Sequence, residues 1–226
     1  MSQDKTKEAA YESCLELARR CGQSELGLMM NHAWFKDPRR FFIGLARYKW
    51  VGKVLSGCQK VLEVGCADAF NSRLVQQEVK SLTAVDFDPI FVEDAKRRMD
   101  AAWPFDCRVH NILDGPVAEG FDGAFALDVI EHIPAQDEDR FLANLAASLN
   151  QTGVLIVGTP TIQSQQYASV ESKMGHVNCK DAPVLKVLLQ KYFHNVFIFS
   201  MNDEVVHTGY YPMAHYLLAL CCYKKA

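Results

Sequence analysis

Two apolar runs of this sequence end at residues whose spacing suits the binding of a nucleoside. The run Val61–Val64 stops at Gly65, and the next apolar run ends at Asp86. A buried strand that stops at a glycine, followed one strand–helix–strand unit later by a carboxylate, is typical of the first βα turn of an open parallel sheet. A carboxylate in that place accepts hydrogen bonds from both ribose hydroxyls. The spacing therefore predicts a nucleoside-type cofactor site.

The turn that follows Gly65 lacks the other two glycines that a pyrophosphate-binding turn uses. Ala67 and Phe70 hold those positions. Glycine there lets the backbone approach the pyrophosphate closely, so side chains at both positions argue against a dinucleotide. We interpret the turn as a site for an adenosine cofactor without a pyrophosphate, with Glu63 and Cys66 beside the glycine.

Later strand ends add further side chains to the same rim, because ligands of open α/β sheets bind beyond the carboxyl ends of the strands. An aromatic ring that could cover an adenine face follows the second strand, and an amide for the adenine edge follows the third. The fourth strand ends in carboxylates and an imidazole. The residues expected at this rim are Phe87, Asn111, Ile112, Asp128, Val129 and His132.

The elements that must position these residues alternate along the chain. Apolar runs predict strands over 60–64, 82–86, 106–110, 122–128 and 153–158, and helical patterns separate most of them. This alternation predicts a parallel sheet with helices on both faces. The last two runs, 195–200 and 214–222, leave no room for a crossover helix and must be antiparallel. We predict an α/β fold with a doubly wound, mostly parallel seven-stranded sheet and a C-terminal antiparallel hairpin.

Two helices are predicted before the first strand. One covers about 5–20 and closes at Gly22. The other begins at Asp37-Pro38, an N-cap followed by proline at the first helical position, and runs to about Leu55. We expect one domain over 1–226, with 1–56 as a helical cap and 57–226 as the core.

Composition narrows the setting in which the protein works. The chain has 226 residues, with 24 Lys+Arg against 27 Asp+Glu, so its formal net charge of -3 gives no reason to expect a nucleic-acid partner. No apolar run approaches the ~18 residues of a membrane span. The polar N-terminus has no signal-peptide core, and the eight cysteines form no CxxC pair. These features predict a reduced, cytoplasmic protein without a membrane span.

Taken together, these residues resemble the class I S-adenosylmethionine-dependent methyltransferases, with most likeness to small-molecule O-methyltransferases of the ubiquinone-biosynthesis type. The segments that carry the resemblance are Glu63-Val-Gly-Cys, Asp86, Asp128-Val-Ile-Glu-His-Ile133 and Gly158-Thr-Pro160. The resemblance implies a Rossmann-like fold, S-adenosylmethionine as cofactor and a small-molecule acceptor.

The resemblance also implies roles for single residues. Gly65 and its neighbours, including Ala67, would hold the methionine part of the cofactor, Asp86 the ribose, and Asn111 with Ile112 the adenine. Arg47 looks like the arginine that meets the cofactor carboxylate in that group. The chain departs from the family pattern at Ala67 and Ala69, where these enzymes usually have glycine.

Chemistry at the acceptor calls for a base, because a hydroxyl is a poor nucleophile while it is protonated. Histidine suits this role near neutral pH. Three of the seven histidines, His132, His176 and His207, are expected at the ligand-bearing rim, and each has a structural role as its alternative. A metal site built from these histidines with Asp203 and Glu204 matches no compact ligand spacing, so no metal is predicted.

We therefore expect methyl transfer from S-adenosylmethionine to a small molecule, at oxygen. The alternatives are N-methylation of a small molecule or sugar, an NAD-dependent oxidoreductase, a nucleic-acid methyltransferase and a cofactor-binding protein without activity. The missing glycines, and the absence of a tyrosine followed four positions later by lysine, argue against the oxidoreductase. Val129-Ile130-Glu131 is unlike the Pro-Pro-aromatic turn of enzymes that methylate base amines.

Overall fold

An eight-stranded mixed sheet organises the fold in the computed structural model, which describes residues 5–117 and 120–225. The spatial order of the strands is β3-β2-β1-β4-β5-β8-β6-β7. The strands are β1 (Val61–Val64), β2 (Leu82–Asp86), β3 (Asp106–Val109), β4 (Phe121–Leu127), β5 (Leu149–Pro160), β6 (Phe193–Asn202), β7 (Val205–His207) and β8 (Tyr216–Lys224).

Helices precede the sheet and connect its parallel strands. The helices are α1 (Glu12–Cys21), α2 (Leu28–Lys36), α3 (Pro38–Val54), α4 (Ser72–Gln76), α5 (Pro89–Arg98), α6 (Glu138–Ser148), α7 (Val170–Gly175) and α8 (Ala182–Leu189). A short 3-10 helix, Ile130–His132, directly follows β4. No helix within the described ranges is long and apolar enough to cross a membrane.

Burial on both faces explains the character of the central strands. All four residues of β1 are buried, as expected for a parallel strand covered by helices on each side. Successive side chains of a strand point to opposite faces, so Leu217 and Leu218 of β8 enter different core clusters. Strands β1 to β5 are parallel to one another, and β8 is antiparallel to both β5 and β6.

The predicted α/β fold with a mostly parallel sheet and an antiparallel C-terminal part is confirmed, but the sheet has eight strands, not seven. The additional strand is β7. Strand β6 extends to Asn202, the chain turns at Asp203 with φ 49°, and Val205–His207 pairs back onto β6. A three-residue strand has too short a pattern to be recognised in the sequence.

Helix α2 was also missed in the sequence. The backbone N–H of Leu28 donates to Asp94 at 3.1 Å and that of Met30 to Asp68 at 2.9 Å. These carboxylates lie far along the chain and satisfy N–H groups that local residues leave free at a helix N-terminus. By contrast, the predicted N-caps of α3 and α5 are local and are confirmed, since Asp37 accepts from Arg39 N and Asp88 from Ile90 N.

Candidate cofactor and acceptor site

The turn after β1 is tightly folded. The N–H groups of Gly65 and Cys66 both donate to the carbonyl of Val85, at 2.8 and 3.1 Å. Gly65 has φ 80°, and a Cβ there would lie 2.3 Å from Cγ2 of Val129. Glycine is therefore required at this position both by the backbone conformation and by the side chain that closes over the turn.

Two alanines of the same turn also adopt left-handed backbone conformations. Ala67 has φ 46° and Ala69 has φ 52°. An L-residue in this region costs about 1–2 kcal/mol relative to glycine. Although alanine replaces the glycines usual at these two positions, the turn keeps the backbone conformation that glycine favours. The strain must be offset by stabilising interactions elsewhere in the fold.

Asp86, at the end of β2, is oriented by the backbone on both sides of it. Its Oδ2 accepts from Ala67 N at 2.8 Å and its Oδ1 from Asp88 N at 2.9 Å. The side chain is only 7% exposed. Because each carboxylate oxygen has more than one lone-pair direction, both can accept a further hydrogen bond. The carboxylate is thus held against the turn after β1, and each of its oxygens can still accept a hydrogen bond from a ligand.

Glu63, in the middle of the buried strand β1, is 1% exposed. Its Oε1 accepts from the hydroxyl of Tyr48 at 2.7 Å, while Oε2 has no hydrogen-bond partner among the described residues. Burial raises the pKa of Glu63 to about 7. The hydroxyls of Ser72 and Tyr48 lower this pKa, and the nearby Asp86 and Asp68 add to its rise. A buried carboxylate oxygen without a donor is a place where a cationic ligand group would be favourable.

Asp68 fastens the helical cap to the β1 turn. Besides accepting from Met30 N, it offers its carbonyl to the guanidinium of Arg98, which also pairs with Asp94 at 3.0 Å. Both Asp94 and the Arg98 side chain are nearly buried. Sequence reasoning missed Asp68, Asp94 and Tyr48 as parts of this region. The one available signal was the position of Asp68 inside the turn.

Arg47 of α3 and Asp128 beyond β4 form an ion pair at the rim. Nη1 of Arg47 donates to both carboxylate oxygens, at 2.9 and 2.7 Å, and the guanidinium lies 3.6 Å from the ring centre of Tyr216. Burial opposes the charge of Arg47, but Asp128 outweighs it and the pKa of Arg47 is raised. Asp128 itself has φ 56°. Two predicted cofactor residues are thus brought into contact with each other.

The predicted adenine-side residues differ in exposure. Phe87 is 72% exposed directly beyond β2, whereas Ile112 is 4% exposed. Asn111 is exposed, and its Oδ1 accepts from Leu113 N at 3.1 Å, which shapes the turn after β3. Hydrogen bonding with Cys107 and burial raise the pKa of Cys66, so this residue contributes backbone and packing without a thiolate.

His132 and His176, two of the residues expected to face the acceptor, lie next to each other. Their ring centres are 5.2 Å apart, with the rings near perpendicular. Nδ1 of His132 is hydrogen bonded to the carbonyl of Gly175 at 2.9 Å, and Nδ1 of His176 to Oε1 of Gln165 at 2.8 Å. Burial and the neighbouring His132 lower the pKa of His176. The structure therefore brings two of the three predicted histidines together.

Backbone contacts hold the long connection between β5 and α8 over the end of β4. The N–H groups of Val177 and Asn178 donate to the carbonyl of Glu131, at 2.9 and 3.0 Å. The side chain of Asn178 donates to the Ile133 carbonyl and to Glu138, both at 3.0 Å. This connection contains α7 and a preceding 3-10 helix, Gln163–Tyr167.

Glu131 is a fully buried carboxylate beside the two histidines. Its Oε2 accepts from the hydroxyl of Thr159 at 3.1 Å. Burial and the nearby Asp128 raise the pKa of Glu131 to about 8. In the sequence, Glu131 is part of the motif that carries the family resemblance, but it has no predicted role of its own. Its burial depends on the connection that packs over it, which the sequence does not reveal.

His207 has a different environment from the other two candidate bases. Gly209 N donates to its Nδ1 at 2.9 Å, so the proton resides on Nε2, which donates to Oδ1 of Asn202 at 2.9 Å. Both ring nitrogens are therefore used within the β6–β7 hairpin, and no lone pair is left to accept a substrate proton. This geometry speaks against the predicted role of His207 as a base.

The part of the chain that contains strands β1 to β4 matches a known protein family. Residues 61–153 match the family model described as a methyltransferase domain. Two curated proteins from strains of Mycobacterium tuberculosis, each named a probable S-adenosylmethionine-dependent methyltransferase, are 29% identical over 101 residues. The match covers 44% of this chain and 35% of each relative, so it spans about a third of the relatives' length.

Solved structures extend the likeness to most of the chain. The N-methyltransferase NodS from Bradyrhizobium japonicum, in complex with S-adenosylhomocysteine, has a TM-score of 0.61 at 18% identity, covering 79% of this chain and 85% of NodS. A TehB-like methyltransferase from Corynebacterium glutamicum has a TM-score of 0.58 at 17% identity, covering 80% of this chain and 88% of that one. At such identities the likeness shows a shared fold.

Proposed function

We propose that this chain, of which residues 61–153 match a methyltransferase domain, transfers the methyl group of S-adenosylmethionine to a small-molecule acceptor, at a hydroxyl oxygen. The observation that carries the proposal is the position of the Asp86 carboxylate, which accepts a hydrogen bond from Ala67 N at 2.8 Å. The carboxylate therefore lies against a turn that lacks the glycines of a pyrophosphate-binding site. That arrangement supports a nucleoside cofactor whose ribose hydroxyls donate to Asp86 and which has no phosphate.

The neighbouring residues divide the cofactor among them in this proposal. Oε2 of Glu63, buried and without a donor, receives the ammonium of the methionine part. Backbone groups of Gly65, Cys66 and Ala67 line that part. Phe87, Asn111 and Ile112 surround the adenine, with Val129 closing over the turn. A cation at Glu63 would replace the water that burial has removed from this carboxylate.

Arg47 has two possible anionic partners in this scheme. In the structure it pairs with Asp128 at 2.7 Å. The cofactor carboxylate would add a second negative charge to a guanidinium whose Nε is buried without a partner among the described residues. Five N–H donors allow Arg47 to serve both carboxylates.

The reaction itself is an in-line displacement. A lone pair of the acceptor oxygen forms the new C–O bond, and the C–S bond breaks with its electron pair returning to sulfur, leaving S-adenosylhomocysteine. The acceptor proton passes to a base on the enzyme. His132 and His176 are the candidates, because hydrogen bonds through Nδ1 leave Nε2 of each for this purpose. A base is needed for a hydroxyl more than for an amine, which favours oxygen over nitrogen.

Calorimetry tests the cofactor class directly. We expect one S-adenosylhomocysteine to bind per chain and NAD not to displace it. Binding of NAD without binding of S-adenosylhomocysteine would overturn the proposal in favour of an oxidoreductase.

Methyl transfer from isotopically labelled cofactor to matched hydroxyl- and amine-bearing small molecules tests the acceptor. We expect His176→Ala to lower turnover by roughly 10²-fold while the affinity for S-adenosylhomocysteine stays unchanged. His194→Ala, on an exposed position of β6, is the matched control and should keep full turnover. Transfer to amines alone would refute the assignment to oxygen.

A further inference from the structure

We propose that Glu131, His132 and His176 form a binding site for a divalent transition-metal cation on the acceptor side of the sheet. One ring nitrogen from each histidine and a carboxylate oxygen of Glu131 all lie within 4.8 Å of one another. Two of these residues belong to the 3-10 helix after β4, and the third, His176, directly follows α7. Elements far apart in the chain therefore converge on one point.

The separation of the ligand atoms is close to that of an occupied site. Ligand atoms around a tetrahedral zinc ion lie about 3.3 Å apart, given metal–ligand distances of roughly 2.0–2.1 Å. A spread of up to 4.8 Å requires the three side chains to close inward by about an ångström. His132 is exposed and His176 is half-buried, so their rings have room to rotate.

The hydrogen bonds of the two histidines fix the tautomer that a metal requires. The carbonyl of Gly175 can only accept, so Nδ1 of His132 carries the proton and Nε2 keeps its lone pair. Oε1 of Gln165 does the same for His176. A metal-binding histidine commonly donates its other ring N–H to a carbonyl or carboxylate in this way.

Glu131 supplies an independent indication that a cation belongs here. The residue is 0% exposed, and its Oε1 has no hydrogen-bond partner among residues 5–117 and 120–225. A buried carboxylate oxygen without a donor is unfavourable unless something positive is bound to it. Asp128, the other nearby carboxylate, already accepts from Arg47 through both oxygens, at 2.9 and 2.7 Å.

His207 shows what a purely structural histidine looks like in this fold. Both of its ring nitrogens are satisfied, by Asn202 and by Gly209 N, each at 2.9 Å. His132 and His176 are instead each bound through Nδ1 by an acceptor. The difference favours a ligand role for this pair over a structural one.

The donor set selects the class of metal. Two imidazoles and one carboxylate with open positions suit zinc or another first-row divalent cation, whereas magnesium and calcium prefer oxygen ligands. Resting on the proposed function, the open position would take the acceptor hydroxyl. A bound cation lowers the pKa of such a hydroxyl, so in the metal-bound chain, where both Nε2 atoms are ligands, the cation takes the place of the histidine base and the acceptor proton passes to solvent.

Metal titration tests the site without any turnover. The full chain, freed of metal with a chelator, is titrated with Zn²⁺ by calorimetry and with Co²⁺ by visible absorption. We expect one strongly bound cation per chain and a Co²⁺ spectrum with imidazole ligands. His132→Ala and His176→Ala should each weaken binding by roughly 100-fold or more, and His194→Ala should bind as the unmodified chain does.

Several outcomes would overturn the proposal. One is the absence of stoichiometric Zn²⁺ binding. Another is Zn²⁺ binding that persists in both histidine variants and therefore belongs to the free cysteines. Glu131→Gln, which keeps the volume of the buried side chain, should weaken Zn²⁺ binding in a chain that still unfolds cooperatively. Binding of S-adenosylhomocysteine is measured in the same metal-free samples. Its loss would refute the proposed function, whereas loss of Zn²⁺ binding alone would refute only the metal site.

Discussion

The two halves of the site are built by different means. On the cofactor side, the carboxylate of Asp86 at the end of β2 is held by the backbone N–H groups of Ala67 and Asp88, at 2.8 and 2.9 Å. On the acceptor side, His132 and His176 meet because a connection from beyond β5 folds back over the 3-10 helix after β4. The first half is determined by short-range geometry and the second by the packing of a long connection.

The halves also differ in the charge that they present. The proposed cofactor side carries two nearly buried carboxylates, Glu63 and Asp86, which in the proposal accept hydrogen bonds from the ribose hydroxyls and the ammonium of the cofactor. The acceptor side carries two imidazoles above a buried Glu131. Substitutions on one side should therefore change cofactor affinity, and those on the other should change the handling of the acceptor. The following predictions test this separation.

Asp86→Ala should have the largest effect on the cofactor side. Losing two hydrogen bonds from ribose hydroxyls to a charged acceptor, at about 2 kcal/mol each, predicts roughly 10³-fold weaker binding of S-adenosylhomocysteine. Calorimetry measures this directly. The matched control is Asp88→Ala, which removes only the N-cap of α5 and should cost about 1 kcal/mol of stability. Equal affinity of the Asp86 variant and the unmodified chain would contradict the ribose assignment.

Gly65→Ala should disturb the turn itself. The new Cβ would lie 2.3 Å from Cγ2 of Val129, and φ is 80°. Overpacking and left-handed strain together predict a loss of about 3 kcal/mol in the free energy of unfolding. Chemical denaturation measures this loss. The double variant with Val129→Ala should recover the overpacking part but not the backbone part, and a simple addition of the two single effects would argue against the close contact.

Asn178→Ala should act on the acceptor side alone. It removes two hydrogen bonds, to the Ile133 carbonyl and to Glu138, each 3.0 Å long. At about 1 kcal/mol each, we expect the KM for the acceptor to rise roughly tenfold or more while the Kd of S-adenosylhomocysteine stays constant. Gln166→Ala, an exposed amide in the same connection, is the control. A matching change in cofactor affinity would break the proposed separation.

Glu63 should make stability depend on pH. Its pKa of about 7 in the fold lies above the ordinary 4.5, so the protonated form is favoured by folding. This contribution is complete below pH 4.5 and is lost as pH rises to about 7, by at most ~1.4 kcal/mol per pH unit. Glu63→Gln lacks it, so its stability relative to the unmodified chain should increase over that window and then level off. Parallel denaturation profiles from pH 4 to 8 (roughly one unit beyond each pKa) would contradict this.

The sequence predicts the turns after β1 and β2 because their signals are local. Gly65 ends a buried strand, Asp86 ends the next, and Asp37 and Asp88 each precede a proline at a helix start. For Asp37 and Asp88 one short segment contains both the residue and its structural reason, and for Gly65 and Asp86 the end of an apolar run marks the position. The parallel core and the cofactor class follow from such segments.

The acceptor side was less predictable because its geometry depends on contacts between distant segments. The connection that carries His176 is fixed by backbone N–H groups that donate to the carbonyl of Glu131, more than 40 residues earlier in the chain. The hydrogen bond from the Asn178 side chain to the Ile133 carbonyl likewise joins residues 45 positions apart. His207 was indistinguishable from His176 in the sequence, since only the hairpin shows that both its nitrogens are occupied. Helix α2 was missed for the same reason, its N-terminal partners being Asp68 and Asp94.

The position of β8 has a consequence for biosynthesis. This strand lies between β5 and β6, pairing with β5 over Leu155–Pro160 and with β6 along nearly its whole length. A nascent chain that emerges from the ribosome N-terminus first can assemble β1 to β5 early. Strands β6 and β7 then have no place in the sheet until β8 has been synthesised. We expect the final step of folding to be the insertion of one strand between two that preceded it.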